Sequence, residues 1–310
     1  MAKKTIVIGH KNPDADSVLS AILFSKYSKK ILGFEAEARI AGEVNNETRY
    51  ILGLTAEPKP KIIKKITSEN VVLVDTTEPG QILEGLTEDN LVGIIDHHNL
   101  GGLKTSKAVY TRVENIGCVC SLIYKLCKEK GVKVDKKSAM LMMAGIVSDT
   151  LNLTSPTTTV EDKTYLRELA EIAKADVKDF VAKQFEAKSS LKGISLDKVV
   201  ESDYKEFEMG GKKVGIGVWE TTNPESVNTK AGKIMQLLEV KKVNEKLDYI
   251  LFGVVDILKN NTYCYIIGEP EKELVKAVFG VETKDGIAFM KGVVSRKKQM
   301  VPQLMNHFNK

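Results

Sequence analysis

Residues 91–98 read LVGIIDHH, an apolar, β-branched run closed abruptly by one carboxylate and two imidazoles. A run this apolar is the pattern of a strand buried on both faces, as in a parallel sheet. Side chains at the carboxyl end of such a strand stand over the edge of the sheet, so Asp96, His97 and His98 face a cleft. Two of the chain's four histidines sit there.

Three more apolar segments end with the same polarity. TIVIGH closes on His10 and is followed by Asn12, Pro13, Asp14, Ala15 and Asp16, VVLVD closes on Asp75, and the segment 139–147 runs into Ser148, Asp149 and Thr150. Any one of these acids fits an ordinary helix cap. Four such endings in one domain imply one site built from several elements. His10, Asp14, Asp16, Asp75, His97 and Asp149 offer carboxylates and imidazoles without a thiolate, which suits Mn²⁺, Mg²⁺, Fe²⁺ or Co²⁺ and not a structural zinc. On residue chemistry alone, a two-ion clamp, a single-ion site and a metal-free cleft all stand. The first is favoured because four carboxylates nearly balance two divalent cations, and ions about 3.5–4 Å apart are the usual clamp for phosphoryl transfer to water.

Strand and helix patterns alternate around these endings. Strands are expected at 3–9, 34–40, 71–75, 91–98 and 108–113, the last at an edge, and helices at 16–29, 45–54, 61–67, 81–86, 117–130, 136–147, 160–173 and 176–189. This alternation implies an α/β fold class, with an N-terminal mostly parallel sheet flanked by helices. Neither GxGxxG nor GxxxxGK[ST] occurs at the turns, so no nucleotide loop is present by motif. At 310 residues the chain is long enough for two domains. SSLKGIS, residues 189–195, is the linker between a domain at 1–188 and a smaller C-terminal α/β domain of mixed sheet at 196–310. That domain reads as strands at 213–220, 249–257, 262–267 and 287–290, with helices at 226–243, 270–279 and 300–308.

The runs GHKNPDADS, VDTTE, IDHH and SDT, with the C-terminal GVVSRKKQ and the segment DYKEF at 203–207, resemble the family II inorganic pyrophosphatases of the DHH phosphoesterase group. The first four mark the wider group, and SRKKQ narrows it. The resemblance implies a manganese-dependent hydrolase that splits inorganic diphosphate into two orthophosphates with a metal-activated water. It implies two Mn²⁺ per subunit on His10, Asp14, Asp16, Asp75, His97 and Asp149, with Co²⁺ or Mg²⁺ as substitutes and a further Mg²⁺ arriving with the substrate. His98 takes the catalytic role toward the departing phosphate. It joins Lys205, Arg296 and Lys297 in binding substrate, while Asp96 braces the site. The resemblance also implies a homodimer, for which the edge strand at 108–113 is a candidate contact. One departure stands out: Thr76 and Thr77 follow Asp75 where many bacterial members have His and Asn, which bears on metal preference.

Two rival readings remain. One is a related DHH phosphoesterase acting on polyphosphate or short or cyclic oligonucleotides, expected to carry a glycine-rich DHHA1-type loop where this chain has SRKKQ. The other is a non-enzymatic Mn²⁺-responsive binding protein, which would give an activated-water arrangement no task. The net charge of +5 is dispersed among alternating Lys and Glu, which favours anionic ligands and not a nucleic-acid-coating surface. Cys118, Cys120, Cys127 and Cys264 form no repeated metal spacing and read as buried thiols. No signal peptide or membrane-length apolar run is visible, so a cytoplasmic protein without a membrane partner is expected.

Overall fold

Strands and helices alternate through the first unit in the order β1 (Thr5–Ile8), α1 (Ala15–Leu32), β2 (Glu37–Ile40), α2 (Asn46–Leu54), β3 (Lys61–Ile62), β4 (Asn70–Val74), β5 (Leu91–Asp96), β6 (Tyr110–Val113), α3 (Val119–Glu129), α4 (Lys136–Asp149), α5 (Val160–Ala173) and α6 (Val177–Lys188). The computed structural model describes residues 3–100, 102–201 and 203–309, and the side chains of Lys297 and Lys298 lie outside the described set. By its internal contacts the chain divides into Met1–Ala187 and Lys188–Lys310.

The first unit is α/β, with its strands in the order β3-β2-β1-β4-β5-β6 and every pairing parallel. The chain leaves β1 toward one edge through β2 and β3, then returns to its other side for β4 and builds outward to β6. The reversal places a crevice at the carboxyl ends of β1 and β4, where ligands of open α/β sheets bind. Alternation along the strands divides the core. Val7, Val72, Val74 and Ile95 face the apolar sides of α1, α3, α4 and α5. Ile6, Ile8, Val71, Leu73, Leu91 and Ile94 meet Ile66, Ile82 and Leu83 on the other face.

The helices expected at 61–67 and 81–86 are absent. Lys61 and Ile62 instead pair with Arg39 and Ile40 as strand β3, extending the sheet edge that β2 leaves open. Pro79–Gln81 makes a single 3₁₀ turn. Beyond it, Gly85 adopts φ +98°, and a Cβ there would lie 2.0 Å from the Ile66 carbonyl oxygen. The Ile66 amide donates to the Glu84 carbonyl at 2.8 Å. This close backbone contact needs glycine and an irregular path, which helix propensity does not register.

The second unit has a mixed sheet. Its elements are α7 (Leu196–Glu201), β7 (Tyr204–Met209), β8 (Lys212–Thr221), α8 (Glu225–Asn228), α9 (Ala231–Asn244), β9 (Tyr249–Asp256), β10 (Asn261–Tyr265), α10 (Glu269–Phe279), β11 (Thr283–Lys284), β12 (Ile287–Lys291) and α11 (Val301–Phe308). The strand order is β11-β12-β10-β9-β8-β7, with β8 and β9 parallel and the other pairs antiparallel. The single helix expected at 226–243 is two, because Lys230, at φ −113° and ψ 12°, leaves helical geometry. Residues 189–195 lie against this unit. The Ser189 hydroxyl accepts from the Thr222 amide at 3.1 Å, and Leu191 and Ile194 pack on the core formed by Val199, Val227 and Leu238. Among the described residues no helix is long and apolar enough to cross a membrane.

Candidate metal centre

Each polar ending is delivered to the crevice by the element before it. Gly9 follows β1 because a Cβ there would lie 1.9 Å from Ser17 Oγ, which instead accepts a hydrogen bond from the His10 amide at 3.2 Å. Asp14 caps α1 through Oδ1, which accepts from the Ser17 amide at 3.0 Å. Its other oxygen lies 3.6 Å from His10 Nε2. The helix cap and the site residue are one side chain. Asp75 follows β4 at φ 60°, a left-handed conformation that an aspartate adopts only at a cost and that here turns the carboxylate into the crevice. Asp149 closes α4.

Asp75 is the hub. Its Oδ2 lies 3.4 Å from His10 Nε2 and its Oδ1 lies 3.3 Å from His97 Nε2, while His97 Nε2 is 3.6 Å from Asp149 Oδ2. Ligand atoms of His10, Asp14 and Asp75 lie within 4.8 Å of one another, and so do those of Asp16, Asp75, His97 and Asp149. The six residues of the predicted set thus fall into two groups sharing one carboxylate. Asp75 Oδ1 and His97 Nε2 are buried and have no hydrogen-bond partner among the described residues. Orphaned buried polar atoms are costly, and a cation between these two lone-pair donors would satisfy both. The donor set fits a pair of oxygen-preferring divalent ions.

Outer contacts fix these groups. His97 Nδ1 lies 3.0 Å from the Ile116 carbonyl. A carbonyl only accepts, so Nδ1 carries the proton and Nε2 presents its lone pair to the site. Asp16, fully buried, accepts from the Val119 and Cys120 amides at 2.6 and 3.0 Å, the first turn of α3. Asp96 Oδ1 accepts from the amides of His97 and His98 at 2.8 and 3.2 Å and lies 2.9 Å from His98 Nδ1. That contact engages Nδ1 of His98, whose side chain is 55% exposed. Asp96 therefore sits as a brace.

The electrostatics follow from this crowding. Burial alone would lower His10, but Asp14 and Asp75 outweigh it and raise its pKa to about 10. His97 is likewise lowered by burial and raised more strongly by Asp75 and Asp16, to about 9. Burial and the neighbouring Asp75 charge push the Asp16 carboxyl up. The hydrogen bond to Asp96 raises His98. Cations bound by such groups take the place of these protons. A cavity of about 440 Å³ opens over His10, Asp75, His98 and Asp149. Its wall includes Thr76 and Thr77, both buried, with the Thr77 hydroxyl donating to the Asn99 carbonyl at 3.2 Å.

In the second unit, Lys205 on β7 is exposed. It stands opposite Ile216, whose carbonyl lies 3.5 Å from Arg296 Nη1. Arg296 is 8% exposed, and its Nη2 lies 2.6 Å from Asp203 Oδ1. Lys205 and Arg296 thus share one end of the β7–β8 pair, and the side chain of Lys297 lies outside the described residues. The four cysteines are buried and free, and Cys118 caps α3, its Sγ accepting from the Ser121 amide at 3.3 Å. The reading of the sequence missed the Ile116 carbonyl and the α3 amides, because backbone groups have no residue-type signature.

Residues 4–146 match the DHH family, N-terminal domain, and residues 182–307 match the DHHA2 domain. The manganese-dependent inorganic pyrophosphatase of Bacillus subtilis (strain 168) is 35% identical over 304 residues, 97% of this chain and 98% of that one. A Clostridium acetobutylicum protein named "Probable manganese-dependent inorganic pyrophosphatase" is 36% identical over 299 residues, 96% of each. Among solved structures, a "putative family II inorganic pyrophosphatase" of Methanococcus jannaschii is 32% identical, with a TM-score of 0.67 over 99% of this chain and 100% of that one. An exopolyphosphatase-related protein of Bacteroides fragilis shares the fold at 14% identity and a TM-score of 0.53, over 99% of this chain and 93% of that one.

Proposed function

Because the chain belongs to the family II, manganese-dependent inorganic pyrophosphatases, we propose that it hydrolyses diphosphate to two orthophosphates at the centre built around Asp75. The observation that carries this is the shared carboxylate: the two oxygens of Asp75 face two separate ligand groups, His10 with Asp14 and His97 with Asp16 and Asp149. In this reading the six residues hold two Mn²⁺, with Co²⁺ or Mg²⁺ as substitutes and a further Mg²⁺ carried in by diphosphate. When bound, the cations supply the charge that activates a water and neutralises phosphoryl oxygens.

The protein's own residues do the rest. Ile116 and the first turn of α3 hold His97 and Asp16 in register, so little reorganisation is left for the reaction. His98, whose pKa its hydrogen bond to Asp96 raises, is placed to donate from Nε2 to the oxygen of the departing phosphate. In the second unit Lys205, Arg296 and Lys297 bind phosphate oxygens, Arg296 as a planar fork and the lysines as point charges. The DHHA2 match supports diphosphate over nucleotide substrates, whose hydrolases are expected to carry the DHHA1-type loop. On the same reading the working enzyme is a cytoplasmic homodimer with no nucleic-acid or membrane partner.

The test is phosphate release from diphosphate, tripolyphosphate and pApA by one Mn²⁺-loaded preparation. Diphosphate is expected to exceed the others by about 100-fold or more in kcat/KM, the discrimination of a site that pairs every buried charge of its substrate. Comparable or faster turnover of either rival substrate rejects the proposal.

A further inference from the structure

Asp162, at the third position of α5, is fully buried. Half of its bonding is a capping box: its Oδ2 accepts from the Thr159 amide at 2.7 Å, and its own amide donates to the Thr159 hydroxyl. The other half reaches 45 residues back along the chain. The Gly117 amide donates to Oδ2 at 2.9 Å, and the Ser121 hydroxyl donates to Oδ1 at 2.6 Å. Gly117 makes room for this, since a Cβ there would lie 2.6 Å from Oδ2 and from Thr150 Cγ2. A helix cap needs neither the burial nor the distant donors, and burying a carboxylate is costly unless every lone pair is used.

The segment so gripped carries both outer supports of the metal centre. Ile116, one residue before Gly117, orients His97 through its carbonyl. Val119 and Cys120, between Gly117 and Ser121, hold Asp16 through their amides. We infer that Asp162 is a positioning residue for the metal centre: it staples residues 117 and 121 so that the backbone groups at 116, 119 and 120 hold His97 and Asp16 at ligating distance. The inference rests on the proposal that these two side chains bind Mn²⁺, and it assigns the shape of the site to a residue that touches neither metal nor substrate.

The test reads Mn²⁺ affinity of the purified full chain by titration of free Mn²⁺ in electron paramagnetic resonance. Asp162→Ala is expected to weaken the tighter Mn²⁺ step about tenfold or more, the usual cost of losing an outer support. Thr159→Ala breaks the capping box but keeps the bonds to Gly117 and Ser121, and stays within about twofold. Asp162→Asn recovers most of the loss, because the amide oxygen accepts from Gly117 and Thr159 while the NH₂ donates to the Ser121 hydroxyl. Unchanged affinity in Asp162→Ala overturns the inference and leaves the proposed function standing. Equal weakening by Asp162→Ala and Thr159→Ala also overturns it, since Asp162 would then be a helix cap alone. Should Asp162→Ala not fold, Ser121→Ala decides, with about threefold weakening expected from one lost hydrogen bond and unchanged affinity overturning the staple. Failure of the unsubstituted chain to bind Mn²⁺ overturns the metal reading and the inference with it.

Discussion

Asp203 occupies two nitrogens of the Arg296 guanidinium: its carboxylate lies 2.6 Å from Nη2, and its carbonyl accepts from Nη1. On the proposed function, a substrate phosphate reaching Arg296 meets a fork already engaged by a carboxylate and must exchange with it. Asp203→Asn removes the competing charge and keeps the carbonyl contact. It is expected to lower KM for diphosphate about threefold to tenfold, the difference between a charge-assisted and a neutral hydrogen bond. Arg296→Lys should do the opposite, raising KM about tenfold by losing the planar fork, with bound Mn²⁺ unchanged. Steady-state kinetics on metal-quantified enzyme checks both. Identical KM values in all three proteins would remove Arg296 from the substrate site.

His97 and His98 are adjacent in sequence, yet Asp75 and Asp149 surround the first while Asp96 holds the second. Their substitutions should separate. His97→Gln and Asp149→Asn are expected to lose bound Mn²⁺ and activity together. His98→Gln keeps its metal and loses about a hundredfold or more in kcat, as for removal of a general acid. Metal content after dialysis, set beside kcat, is the measurement. A metal-depleted His98→Gln protein would move His98 into the ligand set.

The legibility of these features in the sequence depends on the range of each interaction. VVLVD and LVGIIDHH announced both buried strands and polar ends, because a parallel sheet needs apolar runs and the crevice is lined by the polar residues at their carboxyl ends. Asp14 showed only one of its two tasks to a capping argument. The helix expected at 81–86 failed because Gly85 approaches the Ile66 carbonyl, a contact made through the fold. Asp162 and Gly117 meet across 45 residues, and Arg296 and Asp203 across 93. Neither periodicity nor local propensity carries information at that span.

Asp135 caps α4, accepting from the Ser138 amide at 3.0 Å, and lies 2.6 Å from Lys26 Nζ on α1. Burial works to raise its pKa, but Lys26 and Ser138 outweigh it and hold the carboxyl well below the usual carboxylate range. A folded-state pKa below the unfolded one means that the unfolded chain binds more protons in acid. The contribution is then fully present above the ordinary aspartate value of about 4 and is lost as pH falls toward the folded value. Asp135→Ala should cost about 1 kcal/mol at neutral pH, the usual worth of an N-cap. The gap from the unsubstituted protein should narrow below about pH 4. Urea denaturation across pH tests this, and a gap that widens in acid would contradict the sign.

Gly145 on α4 lies against Cys120 of α3 and Asp16 of α1. A Cβ there would lie 2.4 Å from Cys120 Sγ and 2.8 Å from Asp16 Oδ1. Helix propensity alone favours Gly145→Ala by about 1 kcal/mol, but contacts this short force a shift of α4, Cys120 or Asp16. Overpacking of this kind costs about 1–3 kcal/mol, so packing is expected to win and the variant to be less stable. The displacement also reaches the metal centre, because Asp16 is held by the Cys120 amide and Asp149 closes α4 four residues beyond Gly145. Mn²⁺ affinity should fall about tenfold along with stability. Urea denaturation of the metal-free protein and Mn²⁺ titration of the same preparation separate the two effects. Lost stability with full Mn²⁺ affinity would show that the core absorbs the methyl without moving Asp16, and a gain in stability would show that the close contact is not kept.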